Sequence, residues 1–208
     1  MTILALEFSS ERRSVALARD GIVLSEAVEQ TGGRATNALG LIESALATAG
    51  VSRGEIEVIA VGLGPGSYTG IRAAIAVAQG WQLARGVKLL GISSAEAIAA
   101  QAQAEKIFGI VNVAVDAQRG EFYLATWEVT GTALREISPL KIASQAEIEA
   151  LRTDGEISVG PAAKRVLFPT AALIAVRAAQ RIDFPAGETL EPIYLRETTF
   201  VKAAPARH

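Results

Sequence analysis

The chain has 208 residues, 39 of them alanine, and a nearly balanced charge of 20 Lys and Arg against 22 Asp and Glu. Half of the residues are hydrophobic, so the composition predicts one large domain or two small lobes around a full core, and it excludes intrinsic disorder. A pI near 5.6 gives no global electrostatic reason to bind nucleic acid, and the lack of cysteine and of any apolar run of about 18 residues predicts a cytoplasmic protein without disulfides or membrane segments.

The first half of the chain alternates strand and helix signals. Asp20-Gly21 is typical of a type I′ turn between two antiparallel strands. Gly50 follows a segment with apolar residues at three- and four-residue steps, and Ser93 with Glu96 has the spacing of a capping box that opens another helix. These signals predict strands at 3–8, 14–18, 22–28, 58–61 and 88–92, and helices at 35–49, 71–85 and 93–103.

The second half repeats this order of elements without repeating the sequence. Ser144 and Glu147 form another capping-box pattern. Strands are predicted at 107–115, 121–127, 134–142 and 157–159, and helices at 144–152 and 170–181. The doubled pattern favours an α/β protein in which a mixed sheet with packed helices is present twice. We therefore expect an N-terminal lobe, residues 1–104, and a smaller C-terminal lobe, residues 105–208, whose tail from residue 190 packs back onto the body.

A glycine-rich segment, residues 62–70, lies between a predicted strand and a predicted helix. Such a loop suits an anion, but no Gly-Lys-Ser/Thr follows it as in a P-loop. Gly64, Gly66 and Gly70 have the wrong spacing for the dinucleotide fingerprint, and Ser67 lacks the flanking glycine of a hydrolase elbow. The spacing alone favours the structural alternative, a tight turn that lets the strand and helix pack closely.

The chain carries few groups for acid–base or metal chemistry. Its single histidine is His208, so neither a Ser-His-Asp triad nor a paired-histidine metal site can be built. Glu7, Asp116 and Glu121 lie at predicted strand ends or turns, where carboxylates could hold Mg²⁺. We favour the alternative that Asp116 and Glu121 organise a hairpin turn with Arg119. The sequence thus predicts no catalytic residue and no bound metal.

The most specific motif in the chain is the nine-residue run 64–72. Three further runs accompany it, at residues 3–6, 116–123 and 191–196. Together they resemble the TsaB (YeaZ) family of bacterial tRNA-modification proteins over nearly the whole chain. The resemblance implies an actin-like ATPase fold, as in sugar kinases, Hsp70 and actin, with two RNase H-like lobes. The family signature residues are Gly64, Pro65, Gly66, Ser67, Tyr68, Thr69, Gly70 and Arg72, with Ile71 inside the run.

The resemblance also implies a function in tRNA modification. The family relative TsaD transfers a threonylcarbamoyl group to adenosine 37 of tRNAs that read ANN codons, and it holds a metal through paired histidines that this sequence lacks. We therefore expect a non-catalytic scaffold that activates TsaD, with TsaE in the assembled complex, tRNA bound only through the complex, and no cofactor unless a nucleotide binds at a partner interface. The alternatives are a stand-alone nucleotide-binding kinase or phosphotransferase of the same superfamily and, less favoured, a peptidase.

In the family, partner binding involves the first two helices, which correspond here to residues 35–49 and 71–85. The same helices would pair two copies of the chain when the partner is absent. Gly80 and Ala84 would permit close approach, unless the apolar stripes belong entirely to the chain's own core. The expected contact residues are Leu39, Ile42, Leu46, Ala74, Ile75, Ala78 and Trp81.

Two positions depart from the family pattern. Glu7 stands where the family has an aspartate that contacts phosphate in actin-like ATPases, which weakens the case for ATP hydrolysis. Arg34 lies where many relatives carry a histidine, just before the first helix, which leaves the docking surface of that helix open.

Overall fold

The structure, a computed structural model, describes residues 1–30, 36–153, 156–181, 184 and 189–195, without the side chains of residues 152 and 153. Arg34 lies outside these residues. A short 3-10 turn, Arg53–Glu55, accompanies the main elements. These elements are β1 (Thr2–Glu7), β2 (Arg12–Arg19), β3 (Ile22–Gln30), α1 (Ala38–Ala49), β4 (Val58–Gly62), α2 (Tyr68–Arg85), β5 (Lys88–Ile92), α3 (Ser94–Ala104), β6 (Gly109–Asp116), β7 (Glu121–Val129), β8 (Leu134–Ser144), α4 (Gln145–Thr153), β9 (Ile157–Val159) and α5 (Ala171–Ala179). Among the described helices, none combines the length and apolar character that crossing a bilayer requires.

The first sheet has the strand order β3-β2-β1-β4-β5. The first three strands form an antiparallel meander, and β4 and β5 run parallel to β1. Asp20 and Gly21 both have positive φ, 51° and 79°, which confirms the predicted turn between β2 and β3. Strand β1 is buried along its whole length, because helices cover both faces of the sheet around it.

The second sheet repeats this arrangement with the order β8-β7-β6-β9. Strands β6, β7 and β8 are antiparallel, and β9 is parallel to β6, as β4 is to β1. Pro139 lies in the edge strand β8, near an irregularity in its register with β7, where a missing N–H does not break a central ladder. The doubled order of elements predicted from the sequence is therefore confirmed.

Two helices pack across the division between the halves of the chain. Helix α5, from the second half, covers one face of the first sheet through Ala171, Ile174 and Ala178, while α1 and α2 cover the other face. Helix α3, from the first half, packs its Ile98 and Ala102 against the second sheet. Each of these helices packs on the sheet of the other half of the chain. The predicted division into two lobes after residue 104 therefore stays a prediction.

The beginnings of α3 and α4 show different outcomes for the same sequence pattern. The Ser144–Glu147 capping box is confirmed, since Ser144 Oγ accepts from Glu147 N at 3.3 Å and Ser144 N donates to Glu147 Oε2 at 2.8 Å. At α3 the prediction of a capping box is wrong, because the side chain of Ser93 makes no capping hydrogen bond. Its Glu96 is buried and accepts instead from Arg177 of α5 at 2.7 Å and from Arg181, just after α5, at 2.9 Å. A charged pair of donors therefore replaces the local cap and ties α3 to α5.

The chain's C-terminal segment also contacts the body. Leu190 is buried in the core between the first sheet and its outer helices. Ile193 N donates to Leu63 O at 2.8 Å. These two contacts support the predicted packing of the tail from residue 190, which stays a prediction, and residues 196–208 lie outside the described residues.

Candidate functional site

The signature loop joins β4 to α2 and packs against the turn that follows β1. Ser67 N donates to Ser9 O at 2.6 Å, and Ser67 Oγ caps α2 by accepting from Gly70 N at 3.4 Å. A Cβ on Gly66 would lie 2.1 Å from Ser9 O, and one on Gly70 would lie 2.0 Å from Phe8 O. The glycines of the loop thus permit close packing of backbone on backbone, in line with the structural alternative that the spacing favours.

Glu7 is a fully buried carboxyl group at the centre of this junction. Its Oε1 accepts from Ser9 N and its Oε2 from Ser94 Oγ, each at 2.7 Å. Ser94 Oγ accepts in turn from Gly64 N at 3.1 Å. Burial raises the pKa of Glu7, while the hydrogen bonds from Ser9 and Ser94 act in the opposite direction. A Cβ on Gly62 would lie 1.9 Å from Oε2, so only glycine leaves room for this carboxyl group.

This environment corrects the sequence-based role of Glu7 as a candidate metal ligand. Both of its oxygens are engaged inside the protein, and its side chain has no exposed surface. Among the residues that the structure describes, no group of three His, Cys, Asp or Glu side chains comes together in a way that could hold a metal ion. Glu7 instead joins the end of β1, the signature loop and the beginning of α3. Ser94 was missed as its partner, because the sequence pattern assigns the serines there to a cap.

Asp116 ends β6 at the position that Glu7 has at the end of β1. Its Oδ1 accepts from Gln118 N at 2.7 Å and its Oδ2 from Gln118 Nε2 at 3.2 Å. The prediction that Asp116 organises the hairpin turn holds, but the partner of its carboxyl group is Gln118 rather than the predicted Arg119. A cavity of about 490 Å³ lies between the two hairpin turns, and Ser9, Ser67 and Asp116 are among the residues that line it.

Most of the predicted partner-contact residues face the chain's own core. Five of the seven are no more than 6% exposed and pack between the two helices and the first sheet: Ile42, Leu46, Ala74, Ile75 and Ala78. This burial corrects the assignment of Leu46, Ala74, Ile75 and Ala78 to a surface, whereas Ile42 also lines a cavity between α1 and α2. Helical periodicity identified the apolar stripe but could not tell which partner covers it. Leu39 is 68% exposed and Trp81 is partly buried, so partner contact by these two residues stays a prediction.

The outer face of α2 presents a different set of residues. Sequence reasoning named two of them, Gly80 and Ala84, but missed Ala76 and Leu83. Leu83 is 91% exposed, and a Cβ on Gly80 would meet no atom within 4 Å. A cavity of about 490 Å³ lies between α1 and α2. We call it the α1–α2 groove; its lining includes Leu39, Ala76, Val77, Gly80, Trp81 and Ala84, with the Glu43–Arg53 ion pair and Arg85 beside them. Four-residue spacing of small residues was the signal that could have identified this face.

The remaining signature residues divide between the interior and the surface. Gly64 and Pro65 are buried, next to the hydrogen bond between Ser94 N and Gly64 O. Tyr68, Thr69 and Arg72 are exposed on the first turns of α2, and the Arg72 guanidinium carbon lies 5.5 Å from the centre of the Tyr68 ring. The signature thus combines a packed turn with an accessible end of α2.

Comparison with known proteins places this architecture in a family. The family model described as "TsaD: tRNA N6-adenosine threonylcarbamoyltransferase" matches residues 10–190. The chain belongs to this family. It is 34% identical over 128 residues, 62% of this chain and 55% of the relative, to the Escherichia coli K12 tRNA threonylcarbamoyladenosine biosynthesis protein TsaB. The TsaB protein of Bacillus subtilis 168 is 27% identical over 140 residues, 67% of this chain and 60% of the relative.

A solved structure adds the fold. A Pseudomonas aeruginosa protein described as similar to peptidase YeaZ is 26% identical, with a TM-score of 0.79 over 94% of this chain and 99% of that chain. The family model therefore shows membership of the TsaD family, and the α/β fold with two mixed sheets is that of the YeaZ-like protein, as the resemblance to TsaB (YeaZ) implies. The chain spans 53–60% of the length of the first curated relatives that it matches.

Proposed function

We propose that this TsaB-family protein is a non-catalytic subunit that pairs with a TsaD protein and activates threonylcarbamoyl modification of adenosine 37 in ANN-decoding tRNAs. The observation that carries the proposal is the exposed α1–α2 groove, in which small residues lie between large apolar side chains. In the same proposal TsaE joins the assembled complex, tRNA is held through the complex, and the protein works in the cytoplasm. Any nucleotide binds at a partner interface.

The groove has the chemistry of a helix-binding surface. Gly80, with open space around its Cα, allows a partner helix to approach α2 closely. Leu39 and Leu83 expose apolar area that water solvates poorly, and Trp81 offers an aromatic anchor at the edge of the core. When no TsaD partner is present, a second copy of the chain would cover the same surface as a homodimer.

The environment of Glu7 supports a non-catalytic role. A phosphate-contacting carboxylate must reach the ligand or its metal ion, whereas Glu7 is buried with both oxygens bound by Ser9 and Ser94. The one histidine of the sequence is His208, so the paired-histidine metal site of TsaD has no counterpart in this chain. These features leave little chemistry for a transfer reaction on this chain alone.

A stand-alone nucleotide-binding kinase or phosphotransferase is the second candidate. The cavity between the hairpin turns favours it, since Ser9, Ser67 and Asp116 offer polar groups there. Calorimetry of the isolated chain with ATP and Mg²⁺ separates the two candidates. Tight binding with phosphate release would favour the kinase, and the scaffold function predicts no turnover.

A charge placed in the groove tests the proposed partner surface. Gly80→Arg should prevent co-purification with the TsaD protein of the same organism, because the new side chain fills the space that a partner helix would enter. Gly131→Arg is the matched control, since Gly131 also has no atom within 4 Å of a Cβ and lies in the loop after β7. Ala78→Arg would not test this surface, because Ala78 is fully buried.

Each result has a separate consequence. Normal pairing by Gly80→Arg, with an unchanged melting temperature, would show that the groove is not the interface. If the wild-type chain does not bind TsaD, and its depletion leaves the threonylcarbamoyladenosine content of tRNA unchanged, the proposed function itself is wrong.

A further inference from the structure

A third cavity, of about 590 Å³, lies at the N-terminal end of α2 and shares Tyr68 and Tyr194 with the cavity between the hairpin turns. Two distant parts of the chain build it: Tyr68 and Arg72 come from α2, and Glu191, Pro192 and Tyr194 from the C-terminal segment. We call it the Tyr68–Tyr194 cavity. The signature run and the C-terminal run, which are far apart in sequence, therefore meet at one surface site.

The C-terminal wall of this cavity is held by contacts behind it. Ile193 N donates to Leu63 O at 2.8 Å, and Leu190 is buried in the core. The rings of Tyr68 and Tyr194 lie 6.0 Å apart, centre to centre, with an angle of 54° between their planes. The cavity is thus formed before any ligand arrives, so binding there does not have to order the tail segment.

The polar groups of the cavity are available to a partner. Arg72 lies over the Tyr68 ring at 5.5 Å, and both tyrosines are about half exposed. Within the described part of the chain, neither Arg72 nor Glu191 forms an ion pair. Among the described residues, one cation and one anion of the cavity therefore have no charged partner beside two aromatic rings.

The cavity and the α1–α2 groove adjoin each other on α2, because Arg72 lines the cavity and Ala76, about one turn later, lines the groove. Tyr68, Arg72, Ala76 and Gly80 follow one another at four-residue steps, and all four are exposed. Each four-residue step turns about 40° around the helix axis, so the row winds from the cavity into the groove. Along the helix axis, Tyr68 and Gly80 are separated by about 18 Å, because each residue of an α-helix rises about 1.5 Å. One protein partner that lies along α2 would therefore reach both sites.

We propose that the Tyr68–Tyr194 cavity is a second anchor for the protein partner that binds the groove. It receives an acidic side chain of the partner against Arg72 and a basic side chain against Glu191. This inference rests on the proposed function and adds the charge pattern that the partner must carry. Tyrosine and arginine are the residues that most often dominate the energy of protein interfaces. An RNA ligand fits less well, because RNA affinity requires several cations, and the described lining of the cavity offers one beside the carboxylate of Glu191.

Titration calorimetry of the wild-type chain and its variants with the TsaD protein tests this inference. Arg72→Ala should raise the Kd about ten- to a hundredfold and make it less dependent on salt, since it removes a hot-spot charge. Arg72→Glu should weaken binding further, and Arg72→Lys should restore part of the affinity. Arg135→Ala is the control, because Arg135 is an exposed arginine of the edge strand β8. Circular dichroism melts verify that each variant is folded.

The outcomes distinguish this inference from the proposed function. If the wild-type chain does not bind TsaD, the proposed function fails and the second anchor fails with it. If Gly80→Arg weakens binding while Arg72→Ala and Tyr194→Ala leave the Kd unchanged, the groove stands and the second anchor is wrong. If Arg72→Ala instead lowers the affinity of the isolated chain for tRNA and not for TsaD, the cavity is an RNA site and the inference is overturned.

Discussion

In each sheet, the first strand of the first hairpin ends at an acidic residue, but the surroundings of the two carboxyl groups differ. Glu7 Oε1 accepts from the backbone N–H of Ser9, and Asp116 Oδ1 accepts from that of Gln118, both at 2.7 Å and both two residues along the chain. Glu7 is fully buried, whereas Asp116 is exposed and lines the cavity between the hairpins. The same local hydrogen bond thus serves a structural junction in one half and an open turn in the other.

The neighbouring parallel strand explains this difference. Gly62, at the end of β4, leaves room for the Glu7 carboxyl group, and Ser94 then closes over it. In the second sheet, the glycine that follows β9, Gly160, lies beside Ala114, two residues before Asp116, and a Cβ there would meet Ala114 O at 2.3 Å. It therefore does not provide the space beside Asp116 that Gly62 provides beside Glu7. The two sheets therefore share the course of the backbone, whereas the side chains at the strand ends determine whether the carboxyl group is buried.

The largest expected effect concerns the packing around the first hairpin. Gly70→Ala should lower the free energy of unfolding by about 3 kcal/mol, because the new Cβ would lie 2.0 Å from Phe8 O and the backbone must move. Gly80→Ala, in the same helix but in open space, should instead raise it by up to about 1 kcal/mol through helix propensity. Urea unfolding of both variants gives the comparison, and equal effects would show that the junction is not tightly packed.

The sequence was sufficient for most of the fold because its signals are local. Asp20-Gly21 requires positive φ at both positions, and Gly50 ends α1 in the left-handed conformation, so both boundaries follow from neighbouring residues. Ser144 caps α4 for the same reason, since its partner Glu147 is three residues away. The predicted beginning of α2 at residue 71 was three residues late, because Ser67 had been read as part of the loop.

The candidate site depended on contacts that sequence spacing does not encode. Glu96 lies at the capping-box position of α3, yet it pairs with Arg177 and Arg181, which are more than 80 residues away. Ala78 and Gly80 are both small residues of α2, but one faces the sheet and the other faces solvent. Which face of a helix is covered depends on tertiary packing, so the proposed partner surface could be chosen only from the structure.

A smaller effect sharpens the contrast between the two helix beginnings. Ser94→Ala should destabilise the protein by about 2 kcal/mol, because Glu7 loses a donor and Gly64 N loses its acceptor in a buried place. Ser144→Ala, which removes an exposed cap of α4, should cost about 1 kcal/mol. Chemical unfolding at one pH measures both, and a Ser94 variant as stable as the wild type would contradict the role of Ser94 in the junction.

The smallest effect concerns the charge of Glu7 and appears as a dependence on pH. Burial raises the pKa of Glu7 above its ordinary value of 4.5, so the unfolded chain loses this proton at lower pH than the folded chain does. The free energy of unfolding should therefore fall as the pH rises from 4.5 to the raised pKa, by at most about 1.4 kcal/mol per pH unit, and level off above it.

Glu7→Gln isolates this contribution, because the amide has nearly the same shape and cannot ionise. The difference in stability between Glu7→Gln and the wild type should grow in favour of the variant as the pH rises above 4.5. Asp116→Asn is the matched control, because Asp116 ends the first strand of the other hairpin and is exposed. If Glu7→Gln and the wild type lose stability in parallel from pH 5 to pH 8, Glu7 is already ionised when buried, and its two hydrogen bonds compensate for the loss of water.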